Sequence, residues 1–255
     1  MHKFLNNTKK YSYTLLDSHF KADNFTKGRA FKSFFDNFCQ NIFEANLTML
    51  ENIDYFPIAY NENNAYASIA HALHSLTPFV SSEENISYKD KKAQTKQDKD
   101  KTDDKEKWRF VDFWCMNEKR EFEIWIEAKR LWLNIGKGAK WDFDNVAIER
   151  IKNALWQIYN IKDANPYQTA KDTNFKVAFF TIPLSCAISQ IPSDDDIESA
   201  PKFLADLLAS FIDNRRNMGV LCAVLDLDPQ GTRKGGIIYK NEYTPYFALG
   251  AIVLE

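Results

Sequence analysis

One stretch limits the folds open to this chain more than any other. Residues 108–129 read W-R-F-V-D-F-W-C-M-N-E-K-R-E-F-E-I-W-I-E-A-K. Two runs rich in aromatic and β-branched residues flank a polar N-E-K-R, which is the pattern of a β-hairpin. Strand residues alternate between faces. A connection of Glu118-Lys119, or of residues 117–120, places Asp112 opposite Trp125. One face then carries Val111, Phe113, Cys115, Phe122, Ile124, Ile126 and Ala128, all apolar or small. The other carries Asp112, Glu123, Glu127 and Lys129, together with Phe110, Trp114 and Trp125. A connection of odd length would scramble this sorting, so the hydrophobic pattern itself selects an even one.

In that register Asp112 is a diagonal neighbour of Glu127, roughly 7–8 Å away between backbones. Two carboxylates reaching over such a gap can share one hard divalent cation, which takes oxygen ligands. Lys129 lies two residues beyond Glu127 and projects from the same face. Two carboxylates and an ammonium side by side suit phosphodiester hydrolysis: a metal polarises the phosphate and acidifies a water, and the amine orients that water. The bland alternative is an amphipathic strand with a charged, solvated face.

Asp112, followed by Glu127-Ala128-Lys129 at the end of the next strand, resembles the PD-(D/E)xK nuclease superfamily, which has the restriction-endonuclease-like fold. The resemblance covers about residues 60–184, and Val111 stands where the name-giving proline would be. It implies a magnesium-dependent nuclease, with manganese as a substitute, acting on nucleic acid and foremost on DNA. By this resemblance Asp112 and Glu127 bind the metal, with the Ala128 carbonyl as a further ligand, and Lys129 positions or deprotonates the attacking water. A helix ahead of the hairpin commonly supplies one more carboxylate in this superfamily. Glu62 resembles that residue by order, with Glu44, Glu83 and Glu84 as the other choices. Gln157, on the helix after E-x-K, resembles a Gln that several branches place near the metal. The resemblance leaves restriction, defence and repair as settings, and a homodimer where both strands are cut. The competing expectation is a non-catalytic nucleic-acid-binding or assembly module that keeps the fold without turnover.

The rest of the chain reads as one α/β domain over residues 1–255, with a mixed sheet flanked by helices. Residues 1–27 show no clear period. Residues 28–50 read as a helix, with Phe31, Phe34, Phe35, Phe38, Ile42, Ala45 and Met49 at spacings of three and four. A second helix, about 64–76, is capped by Asn61, Asn63 or Asn64. Glu62 is otherwise a first-turn acid favoured by the helix dipole. Residues 77–88 read as a strand beside the hairpin. Residues 89–107 contain no large apolar side chain and read as a flexible charged insertion. Arg130, Lys137 and Lys140 form a basic loop placed to hold phosphates. Trp132 and Trp141 are stacking candidates there, with core packing the alternative for at least one of them.

A helix at 145–161, capped by Asp142 or Asp144, and a strand at 175–184, apolar on both faces, complete the order α-β-β-β-α-β. That is the order of the superfamily core. Residues 185–197 read as a polar loop, and residues 201–214 as a helix with Pro201 in its first turn. Strands at 219–227 and 243–254 extend the core.

Composition sets bounds on function. Of 255 residues, 45% are hydrophobic and 15% aromatic, enough for a sizeable core. The net charge of −2 gives no global basic field, so a phosphate-binding patch must be local. None of the four cysteines forms a C-x-x-C pair, and Cys115 and Cys222 lie inside apolar strand runs. Buried free thiols in a reducing compartment are the expectation. His71 and His74 have no recognisable third ligand for zinc. No run approaches the roughly 20 apolar residues of a membrane span, and the first residues lack the apolar core of a signal peptide. A cytoplasmic protein without membrane contact is expected.

Overall fold

Strands that carry apolar side chains on both faces require cover on both sides of the sheet, and the helices supply it. The computed structural model describes residues 2–4, 11–88, 107–161, 173–213, 216–229, 236–239 and 241–255. Among these, ten strands form one sheet. They are β1 (His2–Phe4), β2 (Ser12–Leu16), β3 (Val80–Tyr88), β4 (Lys107–Met116), β5 (Glu123–Arg130), β6 (Leu133–Asn134), β7 (Asn174–Ala187), β8 (Met218–Asp226), β9 (Ile237–Tyr239) and β10 (Glu242–Leu254). Four α-helices accompany them: α1 (Gly28–Ile53), α2 (Glu62–Leu76), α3 (Asn145–Tyr159) and α4 (Asp194–Ala209). The sheet order is β1-β2-β8-β10-β7-β5-β4-β3, with β6 on β7 and β9 on β10. Pairing is antiparallel except for β5 and β6 against β7.

The two sheet faces carry separate cores. On one, α1 and α2 cover Phe113, Phe122, Ile124, Phe175 and Phe179. The aromatic stripe of α1 is seated directly on the sheet: the Phe31 and Phe175 rings stack at 4.2 Å. Each buried side chain of that size contributes about 1.5–3 kcal/mol. On the other face, α3 and α4 cover Trp114, Trp125, Phe180 and Ile182. Asp144 caps α3 by accepting from the Ala147 amide at 2.7 Å. None of the described helices is long and apolar enough to cross a membrane. All four cysteines are free and buried.

The hairpin differs from its expected form in two ways. Trp114 pairs with Trp125 and Met116 with Glu123, which moves the register by two residues and puts Asp112 level with Glu127. The cause is a longer connection, residues 117–122. There Asn117 Oδ1 accepts from the amides of Glu121 (2.6 Å) and Phe122 (3.1 Å), and Arg120 adopts φ 54°. A shift of two preserves the faces, so Phe113, Cys115, Phe122, Ile124, Ile126 and Ala128 do share one core. Val111 does not. It crosses to the other core, because the strand is irregular at Asp112.

Elsewhere, residues 1–27 contribute β1 and β2. Tyr13 on β2 is buried, and its hydroxyl donates to Asp36 Oδ1 on α1 at 2.7 Å. The expected polar loop at 185–197 is shorter: its first residues end β7, Ile188–Gln190 form one 3-10 turn, and its last four open α4. Ser193 caps α4 by accepting from the Asp196 amide, and Asp194, Asp195 and Asp196 fill its first turn, the acids complementing the helix dipole. Pro201 therefore lies inside the helix, held through by buried Ala200, Leu204, Ala205 and Leu208. Apart from Lys107, which opens β4, the expected insertion at 89–107 lies outside the described residues.

Candidate active site

β4 and β5 pair from Met116 and Glu123 as far as Phe113 and Ile126. Beyond that a side chain takes over from the backbone: the Ala128 amide donates to Asp112 Oδ2 at 2.8 Å. On β3, Glu83 stands at the same level with φ 53°, and the β3–β4 ladder passes over it. The parting strands leave room for side chains to converge. Asp112 is half-buried, Glu127 is buried, and Lys129 is half-buried between them.

The Lys129 ammonium lies 2.6 Å from Glu127 Oε1, 3.1 Å from the Ala128 carbonyl oxygen and 3.7 Å from Asp112 Oδ2. Burial pushes its pKa down, but the carboxylates of Glu127, Asp112 and Glu62 outweigh that and hold it raised. The Lys129 ammonium thus occupies the point on which these three oxygens converge; all three are hard oxygens of the kind magnesium takes, with no nitrogen or sulfur donor from His or Cys beside them. Among the described residues no group of three or more His, Cys, Asp and Glu side chains forms a metal cage. The donor set here is two carboxylates and a backbone carbonyl.

Helix α2 brings the remaining groups. Asn61 caps it by accepting from the Asn64 amide at 2.8 Å, which sets Glu62 in the first turn. Tyr66 follows four residues later on the same face. Its hydroxyl is 3.5 Å from both Glu62 Oε1 and the Ala128 carbonyl, and its ring meets Phe113 edge-on. Burial, then Asp112, Glu62 and Glu127, raise the phenol pKa, so Tyr66 remains a donor facing the carboxylates. Of the other upstream acids, Glu44 and Glu83 are exposed, and Glu84 accepts from Ser81 Oγ at 2.6 Å.

The expected nucleic-acid contacts are dispersed. Arg130 Nη2 donates to the Ala59 carbonyl at 2.5 Å, beside the cluster. Lys137 and Lys140 are exposed on the loop between β6 and α3. Gln157 is half-buried, about 10 Å further along α3 than Arg150 at 1.5 Å per residue. Trp141 packs its ring against Phe203, whereas Trp132 is 45% exposed.

Two further residues reach this region, Tyr66 and Arg150. Tyr66 was visible as the i+4 neighbour of Glu62 on an amphipathic helix. Arg150, whose Nη1 donates to the Arg130 carbonyl at 2.6 Å, had no local signal, since its place depends on how α3 returns across β5. No protein-family model, curated protein or solved structure matches this chain.

Proposed function

We propose that the chain is a metal-dependent nuclease of the PD-(D/E)xK kind, hydrolysing phosphodiester bonds in DNA. On this proposal the run from α2 through β3, β4, β5 and α3 to β7 is a restriction-endonuclease-like core. What supports it is the convergence of Asp112, Glu127, the Ala128 carbonyl and Lys129 where two paired strands part, with Glu62 close by. Asp112, Glu127 and the Ala128 carbonyl are the groups that would hold magnesium, or manganese in its place. When bound, such an ion neutralises phosphate charge and acidifies water.

The chain's own groups do the positioning. Lys129, raised in pKa, arrives as an ammonium whose hydrogens orient the attacking water and temper charge on the phosphate oxygens. Glu62 takes a proton from that water as it attacks, and Tyr66 steadies Glu62. Water attacks phosphorus in line, the bond from phosphorus to the 3′ oxygen breaks, and that oxygen takes up a proton from solvent.

The test is cleavage of plasmid and oligonucleotide in magnesium. Asp112→Ala and Lys129→Ala are expected to keep the wild-type circular dichroism spectrum and lose about 10²-fold or more in rate, the usual effect of removing one charge-stabilising group. Wild-type rates in both variants overturn the assignment. Binding of DNA by the wild type with no turnover in any divalent cation selects the non-catalytic module instead.

A further inference from the structure

One residue past the carboxylate cluster, a cleft of about 370 Å³ opens between β5, the start of α3 and β9. That volume lies within the range of small-ligand sites, roughly 300–1,000 Å³. Arg130 and Arg150 both line it. Arg130 Nε is buried and has no hydrogen-bond partner among the described residues. Neither arginine forms an ion pair with a described carboxylate. Burial, then the nearby Arg150, lower the Arg130 pKa, with Glu242 and Glu62 opposing from a distance. Arg150 Nη1 is tied to the Arg130 carbonyl and Arg130 Nη2 to the Ala59 carbonyl; the remaining guanidinium hydrogens of the two side chains suit a phosphate, an anion that arginine favours. Glu242 and Asp144 also line the cleft and offset part of the field.

The other walls are aromatic. Trp132 is 45% exposed and Tyr239 49% exposed, although large rings are usually buried. Tyr60 is braced from two sides: it stacks on Tyr55 at 5.1 Å and meets Tyr239 edge-on at 5.3 Å. Rigid rings beside arginines form a platform for bases, which stack on them in any sequence. A base inside a duplex is already stacked and paired, so its face is not available to such a wall.

We infer that this cleft seats one unpaired nucleotide of the strand to be cut, with its phosphate on Arg130 and Arg150 and its base against Trp132 and Tyr239. Lys129 and Arg130 leave opposite faces of β5, but at the end of the strand the Glu62 carboxylate acts on both of them, so the cleft lies beside the carboxylate cluster and a strand lying over the cluster can reach it. The inference rests on the proposed nuclease activity for its orientation and deepens it to a substrate class: single-stranded, frayed or flapped DNA rather than intact duplex.

Binding is measured on the whole chain in EDTA, where no turnover occurs, by fluorescence anisotropy. The probes are a short labelled oligothymidylate and a blunt duplex of equal length. The oligothymidylate is expected to bind more tightly than the duplex. Trp132→Ala, a surface change that leaves the fold alone, is expected to weaken it about tenfold, as losing one base–ring stack does. Arg150→Gln is expected to reduce the slope of log K against log salt by about 0.7, one phosphate on a single strand.

Unchanged oligothymidylate binding in both variants, tighter binding of the duplex, or equal competition by free thymidine monophosphate would each overturn the inference. The two proposals fail separately. Magnesium-dependent cleavage that Asp112→Ala abolishes, with wild-type binding by both cleft variants, removes the nucleotide cleft and keeps the nuclease. Cleft-dependent strand binding with no cleavage in any divalent cation removes the nuclease and keeps the strand site.

Discussion

Glu123 and Glu127 lie four residues apart on one strand and point the same way, yet their surroundings make them opposites. Glu127 is bound to the Lys129 ammonium at 2.6 Å. Glu123 has no exposed surface; Trp114 Nε1 donates to its Oε2 at 3.3 Å, and its Oε1 has no partner among the described residues. Burial raises the Glu123 pKa above 4.5, and the Trp114 bond opposes this. A raised carboxyl pKa means that the folded chain holds the proton more tightly than the unfolded one. Its stabilising contribution is full below the unfolded value and is lost as pH rises through the folded value. Glu123→Gln keeps the acceptor and removes the charge. It is expected to stabilise the protein at pH 7 by about 1 kcal/mol and by less near pH 4.5, as urea unfolding at the two values measures. Alternation alone placed both acids on one face. Telling the paired from the stranded one required knowing what packs over each.

At the scale of elements, α2 carries Glu62 and Tyr66, and its position depends on a buried amide from α1. Asn46 Nδ2 donates to the Ile42 carbonyl at 2.8 Å and to Ser68 Oγ at 3.1 Å, and its Oδ1 accepts from the Ile58 amide at 3.0 Å. Ile58 is fully buried. Asn46→Ala leaves that amide unpaired and is expected to cost about 2–3 kcal/mol, seen in urea unfolding, and to slow cleavage because Glu62 loses its support. Helix extents were close to legible: the 28–50 stripe became Gly28–Ile53 and the 145–161 stripe became Asn145–Tyr159. The hairpin register was not. Its parity followed from the hydrophobic pattern, but the two-residue offset came from how Asn117 closes the turn, which alternation does not encode. Asp194 to Asp196 read as loop because three acids in a row look solvated, whereas Ser193 turns them into a helix start.

At the scale of the molecule, the last strand lies in the middle. β10 pairs with β7 on one side and β8 on the other, so the C-terminal segment joins the half of the sheet bearing the carboxylate cluster to the half bearing β1, β2 and β8. Deleting residues 242–255 is expected to give no soluble folded protein, because it leaves the edges of β7 and β8 unpaired and opens both cores. Soluble yield and far-ultraviolet circular dichroism measure this. Strand alternation and helical stripes are carried by neighbours along the chain, and from them the α/β class, most elements and the Asp112–Glu127–Lys129 grouping could be read. The central place of β10, the crossing of Val111, the arrival of Tyr66 at Ala128 and the meeting of Arg150 with Arg130 join residues far apart in the chain. Only packing brings such pairs together, and no local period records it.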